Sequence, residues 1–406
     1  MIIKPMIRNN ICINSHPAGC AASVRRQIEY AGKRLGANHD GAGPKLALII
    51  GCSTGYGLAS RIAAAFGYRA ATVGISFEKP PTETKPGTPG YYNNLVFDKE
   101  AAQAGLASKT LNGDAYSGAV KDETVMAIKE TAAAAGLPPQ ADLIIYSLAS
   151  PVRTDPKDGV VYRSVIKPVG ESCSGKTIDM MSGKFTIALV EPASEEEIRQ
   201  TVKVMGGEDW ELWIKALDDA GVLAPQVKIL AYTYVGPKLS WTIYKNGTIG
   251  KAKEDLERAC REINKKLNAK GGHAWISVNK ALVTRASAVI PIIPLYVSCL
   301  FKVMKEKGLH EGCIEQIARL YRERLYAGSD PAKVPVDSEG RIRIDDWEMR
   351  EDVQRAVAEL MDSATDETIM SIADVEGFRH DFLEVHGFDV AGVDYDAEVN
   401  PLGLDL

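Results

Sequence analysis

The sequence predicts an α/β fold built on a doubly wound parallel sheet, and three observations carry that reading. Short continuous apolar runs, such as LALII at residues 46–50, suit strands that are covered on both faces, as parallel strands are. These runs alternate with stretches whose apolar residues recur at helical spacing, the rhythm of repeated strand–helix units. The first run passes directly into GCSTGYG, residues 51–57, and then into a helical pattern with Leu58, Ile62 and Ala65 on one face.

Strand, glycine turn and helix in immediate succession let backbone approach a pyrophosphate closely, while the helix N-terminus offers oriented N–H groups to its charge. The unit is therefore expected to bind a dinucleotide. Its GxxxGxG spacing is that of the short-chain-dehydrogenase form of the Rossmann fold rather than GxGxxG. Before it, an Ile-rich segment and SHPAGC lead into a helical face of Val24, Ile28, Ala31 and Leu35, with His16 expected to be a structural residue at the helix entrance.

After the turn, the second strand is expected over residues 71–77 and ends at Glu78. A carboxylate there accepts from two ribose hydroxyls and repels a 2′-phosphate, which favours NADH over NADPH, with Lys79 beside it pulling the other way. EKPPTETKPGTPGYYNN, residues 78–94, reads as a Pro/Gly-rich loop over the cofactor or the site entrance. The third strand closes at LNGDA, residues 111–115, where Asp114 and Ala115 are placed to meet the adenine. Asp114 suits a turn that caps the next helix equally well.

That helix carries Val120, Val125 and Ile128 and ends at Gly136, and DLIIY, residues 142–146, is the fourth strand. Ligands of open α/β sheets bind beyond the carboxyl ends of the strands, so the small-residue turn SLASP, residues 147–151, is expected beside the nicotinamide. Residues 152–205 break the rhythm: KTIDMMSGKFTIALVEPAS reads as an inserted β-hairpin, and Ser194 to Glu197 as a capping box. A helix over residues 210–220 and a fifth strand over 227–234 follow, with Tyr234 at a carboxyl end either near an acyl group or packed as a plain aromatic.

YKNGTIGKAK, residues 244–253, then puts a phenol and an ammonium near the start of one helix. A tyrosine hydroxyl can donate to a carbonyl oxygen that gains negative charge, and a nearby lysine favours the phenolate and lowers its pKa. Ile249, Ala252, Leu256, Ala259, Ile263 and Leu267 form the apolar stripe of this helix. Lys253 lies at the edge of that stripe, whereas Lys251 aligns with Asp255 and Arg258 on the wet face, so Lys253 is the expected partner of Tyr244.

WISVN, residues 275–279, is the sixth strand, followed by KALVT. Residues 286–301 carry no charge, but Pro291 and Pro294 interrupt them and they fall short of the about 20 residues a bilayer span needs. They read as a core helix or as the wall of an acyl-chain cleft. From about Gly328 the chain turns acidic and helical, with SEGRIRIDDWE as a short hairpin, Val353, Val357, Leu360 and Met361 as one helical face, and residues 389–406 on the surface.

Composition narrows the function classes. At 406 residues, 45% apolar and 25% charged, the chain is an ordinary globular one, and a net charge of -5 offers no basic footprint for nucleic acid. The six histidines form no HExxH or similar cluster, so no metal is expected. The seven cysteines are scattered with no CxxC, which reads as reduced thiols in a cytoplasm. The N-terminal MIIKP opens no secretory signal.

Taken together, GCSTGYGLASRIAAAFG, ISFEKP, YSLASPVRTDPK, KVMGGEDW, YKNGTIGKAK, ISVNKALVTRASAVIP and FKVMKEKGLHEGCIEQ resemble the trans-2-enoyl-CoA reductase family, which includes a class of bacterial enoyl-ACP reductases. The likeness runs over nearly the whole chain. It implies a monomeric Rossmann-type enzyme that uses NADH to reduce the trans-2 double bond of an enoyl thioester, as from crotonyl-CoA to butyryl-CoA. The family's catalytic tyrosine and lysine, with eight residues between them, match Tyr244 and Lys253. Its NADH contacts map onto Gly51, Cys52, Ser53, Thr54, Gly55, Tyr56, Phe77, Glu78, Asp114, Ala115, Leu148, Ala149, Lys253, Leu282, Val283 and Thr284, and its substrate-contacting tyrosine onto Tyr234. Descriptions of the family attach a flavin-binding label to the C-terminal part, but the sequence has no flavin fingerprint and no flavin is expected.

The expected organisation is an N-terminal part of the dinucleotide-binding domain at residues 1–80. A catalytic part with substrate-binding insertions completes the sheet at 81–327, and a helical extension at 328–406 packs on the same body. Three alternatives stay open. They are an ACP-bound rather than a CoA-bound substrate, in fatty-acid synthesis; a carbonyl reductase, against which the long Tyr–Lys spacing argues; and a non-catalytic NADH-binding sensor.

Overall fold

The computed structural model describes residues 1–8, 11–36, 42–179, 183–285, 287, 293–328, 330–403 and 405–406. Seven parallel strands form its central sheet: β1 (Leu46–Ile50), β2 (Ala71–Ser76), β3 (Ser108–Asn112), β4 (Ala141–Tyr146), β5 (Leu223–Thr233), β6 (His273–Val278) and β7 (Ile342–Arg343). Their order is β7-β6-β5-β4-β1-β2-β3. The direction of winding reverses between β1 and β4, and the carboxyl ends of those two strands are therefore where a ligand crevice opens.

β1 shows why a run with no polar residue is a strand here. Ala47 and Ile49 face one apolar layer and Leu46, Leu48 and Ile50 the other, because strand side chains alternate and both faces are covered. The first layer is built by α1 (Pro17–Leu35), α2 (Gly55–Ile62), α3 (Pro89–Gln103) and α9 (Cys313–Leu320). The second holds α4 (Gly118–Ala134), α6 (Glu208–Asp219) with the buried Trp210 and Trp213, and α7 (Thr248–Leu267). A third cluster packs α8 (Ile293–Glu306) against α10 (Glu351–Ser363), α11 (Ile369–Ile372) and α12 (Val375–Glu384). The insertion contains two antiparallel hairpins, Val152–Thr154 with Val161–Arg163 and Cys173–Ile178 with Phe185–Val190, followed by α5 (Glu195–Met205). The capping box at Ser194 and Glu197 is present.

Four expectations need correction. The GYYNN end of the Pro/Gly-rich segment is helical: Pro89 stands at the first turn of α3, where its missing N–H costs nothing. SEGRIRIDDWE makes no hairpin. After a turn at Asp337 and Gly340, Ile342 and Arg343 pair in parallel with Ser277 and Val278, closing the otherwise open edge of β6. Asp114 holds a turn through the Tyr116 N–H at 2.9 Å, but the cap of α4 is Ser117. Tyr244 lies in the turn before α7, which begins at Thr248. His16 caps α1, its ring nitrogen accepting from the Gly19 N–H. Of the uncharged stretch 286–301, Ala286 and residues 288–292 lie outside the described residues; Ser287 stands in a turn, and residues 293–301 form most of α8, whose first residues are buried all round.

The sharpest local constraint is at Gly57, in the first turn of α2. A Cβ there would stand 1.8 Å from the carbonyl oxygen of Gly51, so the helix can approach the turn only with glycine at this place. Gly57→Ala is expected to destabilise the protein by about 1–3 kcal/mol and to weaken dinucleotide binding, checked by denaturant unfolding and by titration with NADH.

Candidate active site

The crevice at the carboxyl ends of β1 and β4 is lined first by the glycine turn. Gly51 has φ +89°, a conformation that favours glycine, and a Cβ on it would meet the carbonyl oxygen of Ser147 at 2.2 Å and Leu148 at 3.3 Å. The turn after β1 and the turn after β4 are thus in contact, which brings Leu148 beside Gly51, with Ala149 exposed next to it. Cys52 is buried, its thiol pushed up to about 11 by burial. Ser53 and Thr54 lead into α2, whose N-cap, Thr54, makes no side-chain capping bond among the described residues. Gly55 faces the side chain of Thr284, which a Cβ would meet at 3.5 Å, so the turn and the segment Leu282, Val283 and Thr284 after β6 wall the same space. Tyr56 turns inward: its hydroxyl lies 2.7 Å from Gln316 Oε1 and 2.9 Å from the Lys280 carbonyl.

Beyond β2, Phe77 is 78% exposed while Glu78 is buried. The Ser53 hydroxyl donates to Glu78 Oε1 at 2.6 Å, which ties the carboxylate to the glycine turn. The cation facing Glu78 is Arg285, at 3.3 Å, and not its neighbour Lys79, which is exposed. The Asn93 amide on α3 donates to the Ser53 carbonyl at 2.9 Å and braces the turn from behind. Asp114 and Ala115 follow β3, Ala115 buried and its carbonyl accepting from the Lys121 ammonium at 2.9 Å.

Tyr234 and Tyr244 meet beyond the end of β5, and Lys253 reaches the backbone of that strand at Tyr232. The rings of Tyr234 and Tyr244 pack edge to face, with centroids 5.1 Å apart and planes at 77°. Lys253 Nζ donates to the Tyr232 carbonyl at 3.1 Å, and burial brings its pKa down to about 8. Lys251, in contrast, pairs with Glu254 at 3.0 Å on the surface, as the stripe of α7 requires. Burial raises the Tyr244 phenol above its usual range, which corrects the expectation of an acidic phenol. Desolvation governs it and favours the protonated phenol. Its hydroxyl has no hydrogen-bond partner among the described residues, while those of Tyr56, Tyr234 and Tyr296 are all engaged by protein.

Sequence reasoning missed Glu348, Tyr296 and Arg285. Glu348 is fully buried and accepts from the Tyr234 hydroxyl at 2.9 Å, the Tyr296 hydroxyl at 2.6 Å and the Ala281 N–H at 2.7 Å. Its separation from Tyr234, 114 positions along the chain, leaves no periodic signal. Among the described residues no grouping of His, Cys, Asp or Glu could hold a metal ion, and no helix is long and apolar enough to cross a membrane.

Three family models match the chain: the NAD(P)H binding domain of trans-2-enoyl-CoA reductase at residues 2–83, the trans-2-enoyl-CoA reductase catalytic region at 85–326, and an enoyl reductase FAD binding domain at 336–399. The region with the flavin name holds β7 and α10 to α12 and buries Val353, Val357, Phe378 and Phe382 in the third cluster. Among its described residues no strand, glycine turn and helix follow one another as they do at residues 46–62. The trans-2-enoyl-CoA reductase [NADH] of Treponema denticola is 56% identical over 401 residues, covering 98% of both chains. An enoyl-[acyl-carrier-protein] reductase [NADH] of Flavobacterium johnsoniae is 54% identical over 400 residues, again covering 98% of both. The crystal structure of the Treponema enzyme in complex with NAD superposes with a TM-score of 0.93 over 98% of each chain. A Clostridium trans-2-enoyl-CoA reductase in complex with NADH, 42% identical, also gives 0.93, over 99% of this chain and 98% of that one. With these matches spanning the chain from end to end, the protein belongs to the trans-2-enoyl-CoA reductase family.

Proposed function

We propose that the protein is an NADH-dependent reductase of trans-2-enoyl-CoA thioesters, taking crotonyl-CoA to butyryl-CoA. The observation that carries this reading is the unengaged Tyr244 hydroxyl, held edge-on against Tyr234 on a sheet whose β1 turn has the form of a dinucleotide cradle. In this assignment the turn from Gly51 to Tyr56 takes the pyrophosphate, Tyr56 contributing backbone because its hydroxyl is engaged in the core. Glu78 takes the adenosine ribose, and the exposed ring of Phe77, with Asp114 and Ala115, takes the adenine. Leu148, Ala149 and the segment Leu282, Val283 and Thr284 border the nicotinamide, and Lys253 holds its ribose.

Bound NADH supplies a hydride to the β-carbon of the conjugated thioester, leaving the electron pair on the carbonyl oxygen as an enolate. Tyr244 donates its hydrogen bond where that charge develops, a contribution of a few kcal/mol for one well-placed donor. Tyr56, Tyr234 and Tyr296 do not replace it, because their protons are already committed to carboxylate, amide or carbonyl oxygens. The α-carbon is then protonated through Tyr244 or by water. Tyr234 walls the acyl group. The protein is assigned to the cytoplasm, in keeping with its free thiols, and the monomer is what the family resemblance implies.

Purified protein given NADH with crotonyl-CoA and, separately, a long-chain enoyl-ACP tests the substrate. Faster NADH oxidation with crotonyl-CoA is expected. Faster oxidation with the ACP thioester would assign it to the second reading, which the similarity to the Flavobacterium enzyme supports. Tight NADH binding with no oxidation by either would leave a sensor.

The position of Arg285 gives the cofactor preference a sharper test. Glu78→Gln removes the charge that repels a 2′-phosphate and releases Arg285, 3.3 Å away, to bind one. Hydrogen bonds to a charged group contribute about 1.5–3 kcal/mol, so kcat/KM for NADH is expected to fall by roughly 10- to 100-fold while that for NADPH rises. Steady-state kinetics with both cofactors checks this, and an unchanged ratio would remove Glu78 from the ribose site.

A further inference from the structure

We propose that Glu348 is the positioning residue of this site, a carboxylate supplied by the C-terminal region that aligns Tyr244 through Tyr234 and at the same time anchors the segment bordering the nicotinamide. One oxygen, Oε1, accepts from both the Tyr234 hydroxyl at 2.9 Å and the Tyr296 hydroxyl at 2.6 Å. The other, Oε2, accepts from the Ala281 N–H at 2.7 Å, immediately before Leu282, Val283 and Thr284. Tyr234 in turn packs edge to face on Tyr244. A single side chain therefore sets the substrate-side tyrosine and the cofactor-side segment relative to each other.

The carboxylate is itself held. Gln354 on α10 donates to the Glu348 carbonyl at 2.8 Å and to the Tyr296 hydroxyl at 3.1 Å, so the donor on the far side of Glu348 is fixed from the C-terminal helices. Lys280, buried beneath, donates to the Ala281 carbonyl at 3.1 Å and attracts the carboxylate electrostatically. A fully buried carboxylate is a poor stabilising device, since well-packed apolar side chains of similar volume generally serve as well or better. Its chemical consequence is specific. With its proton committed to Glu348, Tyr234 can only accept from any further group, and Tyr244 remains the donor that faces the reacting carbonyl.

The inference rests on the reductase activity proposed above, and wild-type enzyme separates the two. Glu348→Gln keeps the shape but puts a donor where an acceptor is needed, so it cannot satisfy both tyrosines and the Ala281 N–H. The expected result is a fall in kcat with crotonyl-CoA of about tenfold that exceeds the change in KM for NADH, with a lower unfolding midpoint because the buried Ala281 N–H loses its acceptor. Tyr234→Phe should lower kcat similarly, and the double variant should be no worse than the poorer single one, because both substitutions break one chain of contacts. Unchanged kcat in Glu348→Gln, or multiplicative losses in the double variant, overturns the positioning role while the wild type still reduces crotonyl-CoA. A wild type that binds NADH but oxidises it with no enoyl thioester overturns both claims. If Glu348→Gln is not recovered folded, Tyr296→Phe removes a donor from the same carboxylate on the side away from Tyr244. It must still lower kcat with NADH affinity retained, and an unchanged kcat overturns the proposal.

Discussion

Replacing Tyr244 with Phe is expected to lower kcat for crotonyl-CoA by about 10²–10³-fold, the cost of removing one donor aimed at a developing oxyanion, while NADH affinity stays close to that of the wild type. The substitution deletes a hydroxyl that has no partner among the described residues and leaves the ring in its edge-to-face packing on Tyr234. Stability should therefore change little, and the loss should fall on the chemical step. Burial raises this phenol, so it is protonated throughout the ordinary working range and no alkaline limb from its own ionisation should be seen near neutrality. Single-turnover measurement of NADH oxidation, with separate calorimetric titration by NADH, distinguishes the two effects. A variant that turns over at the wild-type rate would remove Tyr244 from the reaction.

What the sequence disclosed follows from where each signal is stored. β1, the glycine turn and α2 are contiguous, so apolar run, spacing and periodicity suffice to place them, and the stripe from Ile249 to Leu267 separates Lys253 from Lys251 on local geometry alone. β7 is two residues long, and what decides its partner is the free edge of β6 rather than anything within SEGRIRIDDWE. Glu348 is invisible for the same reason: its donors come from Tyr234, Ala281 and Tyr296, on three separate segments. Charge reading also misled at Glu78, where the adjacent Lys79 is exposed and the cation that meets the carboxylate, Arg285, is 207 residues distant. The acidity of Tyr244 depends on desolvation, a property of the packed protein that residue spacing does not encode.

Lys253→Met is expected to lower kcat/KM for NADH by roughly 10²-fold, the scale of losing a charge-assisted hydrogen bond of about 1.5–3 kcal/mol. Met keeps an unbranched apolar stem against the edge of the α7 stripe and removes only the ammonium. A second readout lies in the pH profile. Burial brings Lys253 down to about 8 from the model-compound value of 10.5, so in the folded protein the ammonium is lost as pH rises through about 8. Between about 8 and 10.5 the unfolded chain holds more protons on this group, and its contribution to stability therefore increases with pH across that window. Cofactor capture moves the opposite way, because the neutral amine no longer attracts the anionic dinucleotide. Since kcat/KM reports the free enzyme, its value for NADH should decline above about pH 8 in the wild type. Lys280 is also brought down to about 8, but it is retained in Lys253→Met, so loss of the alkaline limb in that variant assigns the limb to Lys253. A limb that persists unchanged would transfer it to Lys280 and leave Lys253 without its proposed place at the ribose.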